Sequence, residues 1–363
     1  MHWAKVHQDA SPPPFDLSSS SLEAAKPADL GIGPDERLAD LPLSGNNAYG
    51  QPRLLERIAA LYGARVEQAI STPGSSAANF LLATTMLGPG DRAVCEWPGY
   101  EPLWRAIEAA GAEPRPVERR REARYALDLE AIGRELARGA RLVVVTNLHN
   151  PSGTLVPADA IAALGRLCER HDAHALVDEV YLDGVFDPAR RERTRTAFGL
   201  SERFIVTSSL TKVYGLGGLR AGWAVGPEPL IRRAWEAFDH VYVENAYPAD
   251  VLALRALDGI ERLRERARAR HAENLPVLRT FVERRRDLEW LEPDGGFVAF
   301  VRLAPGLSSA ALEPVLRERH EAQVVPGFYF GDDSCVRIGF GCPPARLRGG
   351  LERLGAALDE MRG

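Results

Sequence analysis

The sequence predicts an α/β protein: a large domain with a doubly wound, mostly parallel sheet, and a small α+β domain. Three observations carry this. Continuous apolar runs of buried-strand type, RLVVVTNL (141–148), HALVDEVY (174–181) and ERFIVTSSL (202–210), alternate with helical stretches, as in a sheet covered by helices on both faces. The texture changes after about residue 227, where a long Arg/Glu-rich stretch leads into strands and turns. Finally, 363 residues with 45% hydrophobic and 26% charged side chains suit one large or two unequal globular domains.

Taken in order, residues 1–44 are rich in Pro, Ser and Asp and read as an N-terminal arm that contributes to the small domain. The large domain is expected over 45–250. RLLERIAALYGA (53–64) sets Leu54, Leu55, Ile58, Leu61 and Tyr62 at helical spacing. Pro73-Gly74 breaks the chain, and Ser75-Ser76-Ala77-Ala78 opens a helix. RAVCEW (92–97) is a short strand, followed by a turn and a helix in PGYEPLWRAIEAAGA. Residues 157–171 read as helix. The small C-terminal domain is expected over 251–363. Its stretch 261–286 interleaves Glu with Arg, which marks a solvated helix face rather than a polyanion site. GGFVAFVRL (295–303) and CVRIGFG (335–341) read as strands, and LRGGLERLGAALDEMRG closes the chain as a helix.

The charge balance, 45 Lys+Arg against 50 Asp+Glu for a net −5, gives no reason to bind nucleic acid or an anionic membrane. Cys95, Cys168, Cys335 and Cys342 show no CxxC spacing, which suits reduced thiols in a cytoplasmic protein. The start MHWAKVHQDASPPP lacks the apolar core of a signal peptide. No apolar run approaches the roughly 20 residues that span a bilayer.

Ligand sites of open α/β sheets gather at the carboxyl ends of strands. Three apolar strands here end in polar tips: Asn147-Leu-His-Asn-Pro-Ser-Gly153, Asp178-Glu-Val-Tyr181 and Ser208-Ser-Leu-Thr-Lys212. Only three of the 45 basic residues are lysines, Lys5, Lys26 and Lys212, so 42 are arginines. Lys212 stands alone in mid-chain, on the third tip. A buried amine near other cations becomes a nucleophile and can form a Schiff base, which arginine cannot. An aldehyde cofactor with a pyridine ring and a phosphate then needs further groups. Asp178 fits the carboxylate that keeps the ring nitrogen protonated. Asn150 and Tyr181 fit as donors to the phenolic oxygen. Gly74, Ser75 and Ser76 at a helix N-terminus fit the phosphate, with Ser209 and Arg220. Tyr100, after Trp97-Pro98-Gly99, fits the ring face.

In order and approximate spacing these motifs resemble the fold-type-I pyridoxal-phosphate enzymes, in particular the class I/II aminotransferases, over roughly residues 46–341. The resemblance implies the type I transferase fold, pyridoxal 5'-phosphate as cofactor, and a homodimer with shared active sites. It implies that Tyr49, in Asn-Ala-Tyr-Gly-Gln-Pro, reaches the phosphate of the neighbouring subunit. It implies that Arg337, in Val-Arg-Ile-Gly-Phe-Gly, clamps the substrate carboxylate, with Asn150 beside it. Thr211 stands where serine is usual, and Gly99 where threonine is common; neither removes a group the chemistry needs. The expected reaction is transfer of an amino group from an L-amino acid to a 2-oxo acid, with Lys212, Asp178 and Tyr181 as catalytic residues and no metal. A lyase, decarboxylase or cyclase on the same constellation is the alternative, and a non-catalytic sensor a third reading. The resemblance also implies cis peptides at Trp97–Pro98 and Asn150–Pro151. Ser18–Ser21, Asn46–Asn47, the residues beside Tyr100 and the stretch Tyr242–Tyr247 are candidates for the side-chain pocket. Gly215-Leu-Gly-Gly-Leu-Arg is no dinucleotide fingerprint, because it follows the lysine loop instead of opening a first βαβ unit.

Overall fold

The computed structural model describes residues 12–362; the first eleven residues of the arm lie outside them. The strands are β1 (Phe15–Asp16), β2 (Ala69–Pro73), β3 (Arg92–Trp97), β4 (Glu113–Glu118), β5 (Ala140–Thr146), β6 (His174–Asp178), β7 (Phe204–Ser209), β8 (Ala221–Val225), β9 (Leu288–Trp290), β10 (Val298–Leu303), β11 (Ala322–Gln323), β12 (Val325–Pro326) and β13 (Cys335–Gly339). The helices are α1 (Pro52–Tyr62), α2 (Ser75–Met86), α3 (Glu101–Ala109), α4 (Leu129–Ala137), α5 (Ala158–Arg170), α6 (Pro188–Glu192), α7 (Glu228–Asp239), α8 (Tyr247–Asp258), α9 (Ile260–Glu283), α10 (Ser309–His320) and α11 (Pro344–Arg362).

The central sheet has the order β2-β8-β7-β6-β5-β3-β4. All neighbours from β7 to β4 pair parallel, and only β8 runs antiparallel to both of its partners. Successive side chains of a strand point to opposite faces, so each apolar strand feeds two cores. Ala93, Cys95, Leu142, Val144, Leu176 and Ile205 pack under α2, α3 and α7. Val94, Val143, Val145, Val177 and Val206 pack under α4 and α5 on the other side. This is the expected α/β architecture with a mostly parallel sheet. The parallel pairing puts the carboxyl ends of β5, β6 and β7, at Thr146, Asp178 and Ser209, along one edge.

An antiparallel sheet of order β12-β13-β10-β9 lies in the C-terminal part. The arm joins this part: β1 pairs parallel with β11, and Phe15 lies over Gly349 of α11, where a Cβ would come within 2.2 Å of its ring. Among the described residues no helix is long and apolar enough to cross a membrane. Trp97–Pro98 is cis, as expected. Asn150–Pro151 is not; the second cis bond is Asn147–Leu148. The turn holding Pro151 is already closed by His149 N to Thr154 O at 2.9 Å and Gly153 N to His149 O at 2.7 Å.

Candidate active site

A cavity of about 190 Å³ opens at the carboxyl edge of the central sheet. Ser75, Ser76, Tyr100, Asn150, Asp178, Tyr181, Lys212 and Arg220 line it, together with Ser21, Thr146, Val180, Thr211 and Gly217. Residues from six separate stretches of the chain therefore converge on one space.

Lys212 follows β7 and is half-buried at the cavity. Its Nζ donates to Ser20 Oγ at 2.8 Å. Burial, with Arg337 and Arg220 nearby and Asp178 opposing, lowers its pKa to about 8. Asp178, the last residue of β6, has its carboxyl raised by burial and held back by Asn79, the Val180 N–H and Lys212. Asn79 Nδ2 donates to Asp178 Oδ2 at 2.7 Å and Val180 N to Oδ1 at 3.1 Å. Asn79 in turn accepts from Thr207 Oγ1 at 2.7 Å. The sequence reading missed Asn79, although a lone amide among the apolar residues of α2 was a visible signal.

Helix α2 starts at Ser75, and Gly74 before it has φ +89°. The first N–H groups of a helix lack a partner four residues back, and Ser75 and Ser76 at this start line the cavity with Arg220. A Cβ on Gly74 would come within 2.4 Å of Arg220 Nη2. A Cβ on Gly222 of β8 would come within 2.5 Å of Ser75 N. Both glycines keep open the cradle between the helix and the arginine. Ser209 is fully buried and is not one of the residues that line the cavity; its hydroxyl meets Thr211 Oγ1 at 2.5 Å.

Arg337 of β13 is buried behind Asn150 and is not itself one of the residues that line the cavity. Its Nη1 donates to Asn150 Oδ1 at 3.2 Å and its Nη2 to Ser18 O at 3.0 Å, while Nε has no partner. Burial raises the Tyr100 hydroxyl to about 12 and lifts that of Tyr181 as well. Asn150 is fixed from behind. Its N–H donates to Thr146 Oγ1 at 3.0 Å, and Thr146 N donates to Glu96 Oε1 at 3.1 Å. Glu96 pairs with Arg119 at 2.7 Å in a fully buried bridge, a support the sequence reading did not single out. Asn147 braces the same loop, exchanging hydrogen bonds with the backbone of Val156 at 3.0 and 3.3 Å.

Tyr49 lies elsewhere. Its ring is 64% exposed and packs edge-on against Trp235 at 5.9 Å. Of the pocket candidates, Ser20 and Ser21 reach the cavity wall, whereas Asn47 is buried against Asn245 O at 2.9 Å.

The donor set fits pyridoxal phosphate. There is a cradle of helix N–H groups, serine hydroxyls and an arginine for a phosphate. There is a buried carboxylate for a ring nitrogen, and a buried Tyr181 hydroxyl without a partner of good geometry. A low-pKa amine stands beside them for an aldehyde.

The profile of the family described as aminotransferase class I and II matches residues 43–354. An arginine–pyruvate transaminase of Pseudomonas aeruginosa is 29% identical over 352 residues, 89% of this chain and 86% of that protein. A capreomycidine synthase of Streptomyces vinaceus is 32% identical over 374 residues, 96% and 90% of the two chains. The crystal structure of a PLP-dependent aminotransferase from Streptococcus suis superposes with a TM-score of 0.91 at 25% identity, covering 99% of this chain and 96% of that one. The chain therefore belongs to the class I and II aminotransferase family, pyridoxal-phosphate-dependent enzymes of fold type I.

Proposed function

We propose that this enzyme moves an amino group from an L-amino acid to a 2-oxo acid and that Lys212 is the amine to which the cofactor attaches. One observation carries the reading: Lys212 is the low-pKa amine of a cavity that also holds Asp178, Arg220 and the start of α2. Pyridoxal phosphate, when bound, supplies an aldehyde for amines and a ring that accepts the electron pair released at the substrate Cα.

The protein's residues do the rest. Ser75, Ser76 and Arg220, with Gly74 and Ser209 shaping the cradle, would hold the phosphate. Asp178 would hold the proton on the ring nitrogen, and Asn79 keeps its carboxylate in place. Tyr181 and Asn150 would donate to the phenolic oxygen, and Tyr100 would cover the ring. Arg337 would take the substrate carboxylate in a paired, bidentate contact. Lys212, once released, would accept the α-proton from the substrate and return it during the second half of the reaction. At neutral pH an amine near pKa 8 has a neutral fraction large enough to act as base.

The cavity would lie between a large domain (45–250) and a small one (251–363), with the 1–44 arm added to the latter. A homodimer fits the exposed Tyr49, which continues an aromatic run through Trp235 and Phe238 to Tyr242. Four free cysteines fit a cytoplasmic setting.

The loaded protein should show a visible cofactor band that borohydride fixes on Lys212. Lys212→Ala should keep the fold and lose at least about 10³-fold in turnover; a variant that kept both band and turnover would end this reading. Arginine with pyruvate is the first donor–acceptor pair to test, after the P. aeruginosa relative. The synthase among the relatives favours a second reading, another reaction on an amino acid at the same site. Amino transfer to pyruvate or 2-oxoglutarate decides between them.

A further inference from the structure

The arm crosses the Lys212 cavity and is tied to both of its sides. Leu22 N donates to Lys212 O at 2.8 Å, on the lysine side. Gly339 N donates to Leu17 O at 2.7 Å and Arg337 Nη2 to Ser18 O at 3.0 Å, on the side of β13. Between these anchors, Ser20 Oγ accepts from Lys212 Nζ at 2.8 Å. This is the side-chain hydrogen bond that Lys212 makes among the described residues. Ser20 also lies close enough to Tyr181 to lower the pKa of its buried hydroxyl. A serine hydroxyl accepts and donates at once, so Ser20 can take a hydrogen bond from Nζ and give one toward the Tyr181 oxygen.

We propose that Ser20 is a positioning residue for Lys212: it docks the amine whenever that amine is not bonded to the cofactor, and links it to Tyr181. The proposal rests on reading Lys212 as the reacting amine. It gives the arm a task in the chemistry beyond closing the cavity. A released lysine side chain has four rotatable bonds, and proton transfer needs its nitrogen at one place. The anchors at Leu17, Ser18 and Leu22 fix the Ser20 backbone, so the hydroxyl is a fixed post.

An acceptor on Nζ favours the ammonium over the amine. The other groups facing Nζ are Asp178, which also favours the ammonium, and Arg337 and Arg220, which oppose it. Tyr181 and Tyr100 stand on the same wall with their hydroxyls protonated. Ser20 and Asp178 thus act together against the two arginines and burial.

The three lysines make the test clean. A limiting amount of an amine-acylating reagent is applied across about pH 6 to 10, and the labelled peptides are read by mass spectrometry with Lys5 and Lys26 as internal references. In the cofactor-free full chain, Ser20→Ala is expected to lower the Lys212 midpoint by about half a unit to one unit. Ser20→Thr, which keeps a hydroxyl, should restore the wild-type midpoint. An unmoved midpoint in Ser20→Ala, or the same drop in Ser20→Thr, overturns the proposal. Loading with pyridoxal phosphate tests the underlying reading separately. If the cofactor fails to protect wild-type Lys212 from acylation, Lys212 is not the attachment site, and both readings fall. If it protects and the midpoint does not move, the Ser20 proposal alone falls.

Discussion

Asp178 and Glu179 are neighbours in the chain with buried carboxyls, yet they face different spaces. Asp178 lines the cavity of about 190 Å³ that holds Lys212. Glu179 lines a roomier one, about 330 Å³, with Tyr62, Asp183, Tyr214 and Arg264. What differs is how each charge is met. Asp178 has Asn79, a backbone N–H and the Lys212 cation in its favour. Glu179 receives the Ala197 N–H at 2.6 Å and Thr196 Oγ1 at 2.7 Å but faces the like charges of Asp178 and Asp183. Burial, reinforced by those charges, raises it to about 8. At neutral pH Glu179 is therefore a protonated brace, while Asp178 sits opposite a cation. The contrast locates the chemistry better than volume does, because a buried carboxyl is useful as a charge only where something positive faces it.

The sharpest way to break this contrast is to neutralise each carboxyl without changing its shape. Asp178→Asn is expected to lower kcat/KM by about 10²–10³-fold, measured with a productive donor–acceptor pair. Glu179→Gln should cost less than about fivefold, under ~1 kcal/mol of barrier. Equal losses would mean that the two sides of β6 are not distinct.

The parts of this arrangement that could be read from sequence share a physical property. Strands β5, β6 and β7 are buried on both faces and appear as unbroken apolar runs. Strand β4 (EPRPVE) is an edge strand carrying two prolines and a largely solvent-facing pattern, so it leaves no such run. Strands β2 (AISTP) and β8 (AGWAV) carry small residues instead of an unbroken apolar run, and at Gly222 a Cβ would meet Gly74 and Ser75. Among site residues, Lys212 stood out because 42 other basic residues are arginines. Asn79 and Ser20 act through partners 99 and 192 residues away, so their sequence neighbours say nothing about the contact. The cis bond expected at Asn150–Pro151 lies at Asn147–Leu148, which no proline marks.

A second test probes the Glu179 side alone. Asp183 accepts from Arg264 Nε and Nη2 at 2.9 and 2.7 Å, from Arg191 at 2.9 Å and from the Tyr214 hydroxyl. Burial alone would raise its carboxyl, but Arg264, Tyr214 and Arg191 hold it below the usual aspartate value. A depressed carboxylate contributes stability above its unfolded pKa and loses it as pH falls through the folded pKa. Asp183→Asn should cost about 2 kcal/mol at neutral pH in a denaturant titration, and that loss should shrink in acid. Cofactor affinity should stay unchanged. A variant that kept its stability but released cofactor would show the two cavities to be coupled.

The effect most specific to Glu179 is a slope of stability with pH. Its folded pKa, about 8, lies above the ordinary glutamate value of 4.5, so the folded state holds a proton that the unfolded chain has already released across that window. Stability from this group is fully present below the unfolded pKa and is lost as pH rises through the folded one. The wild type should lose on the order of 1 kcal/mol per pH unit from this source between about pH 5 and 8. Glu179→Gln cannot lose a proton, so the two proteins should converge in acid up to a constant offset. The variant should gain on the wild type as pH rises, by denaturant midpoints at pH values spaced across the window. Parallel curves would mean that Glu179 is ionised in the folded protein. The large cavity would then hold a compensating charge, and its difference from the Lys212 side would be one of partner identity, not of protonation.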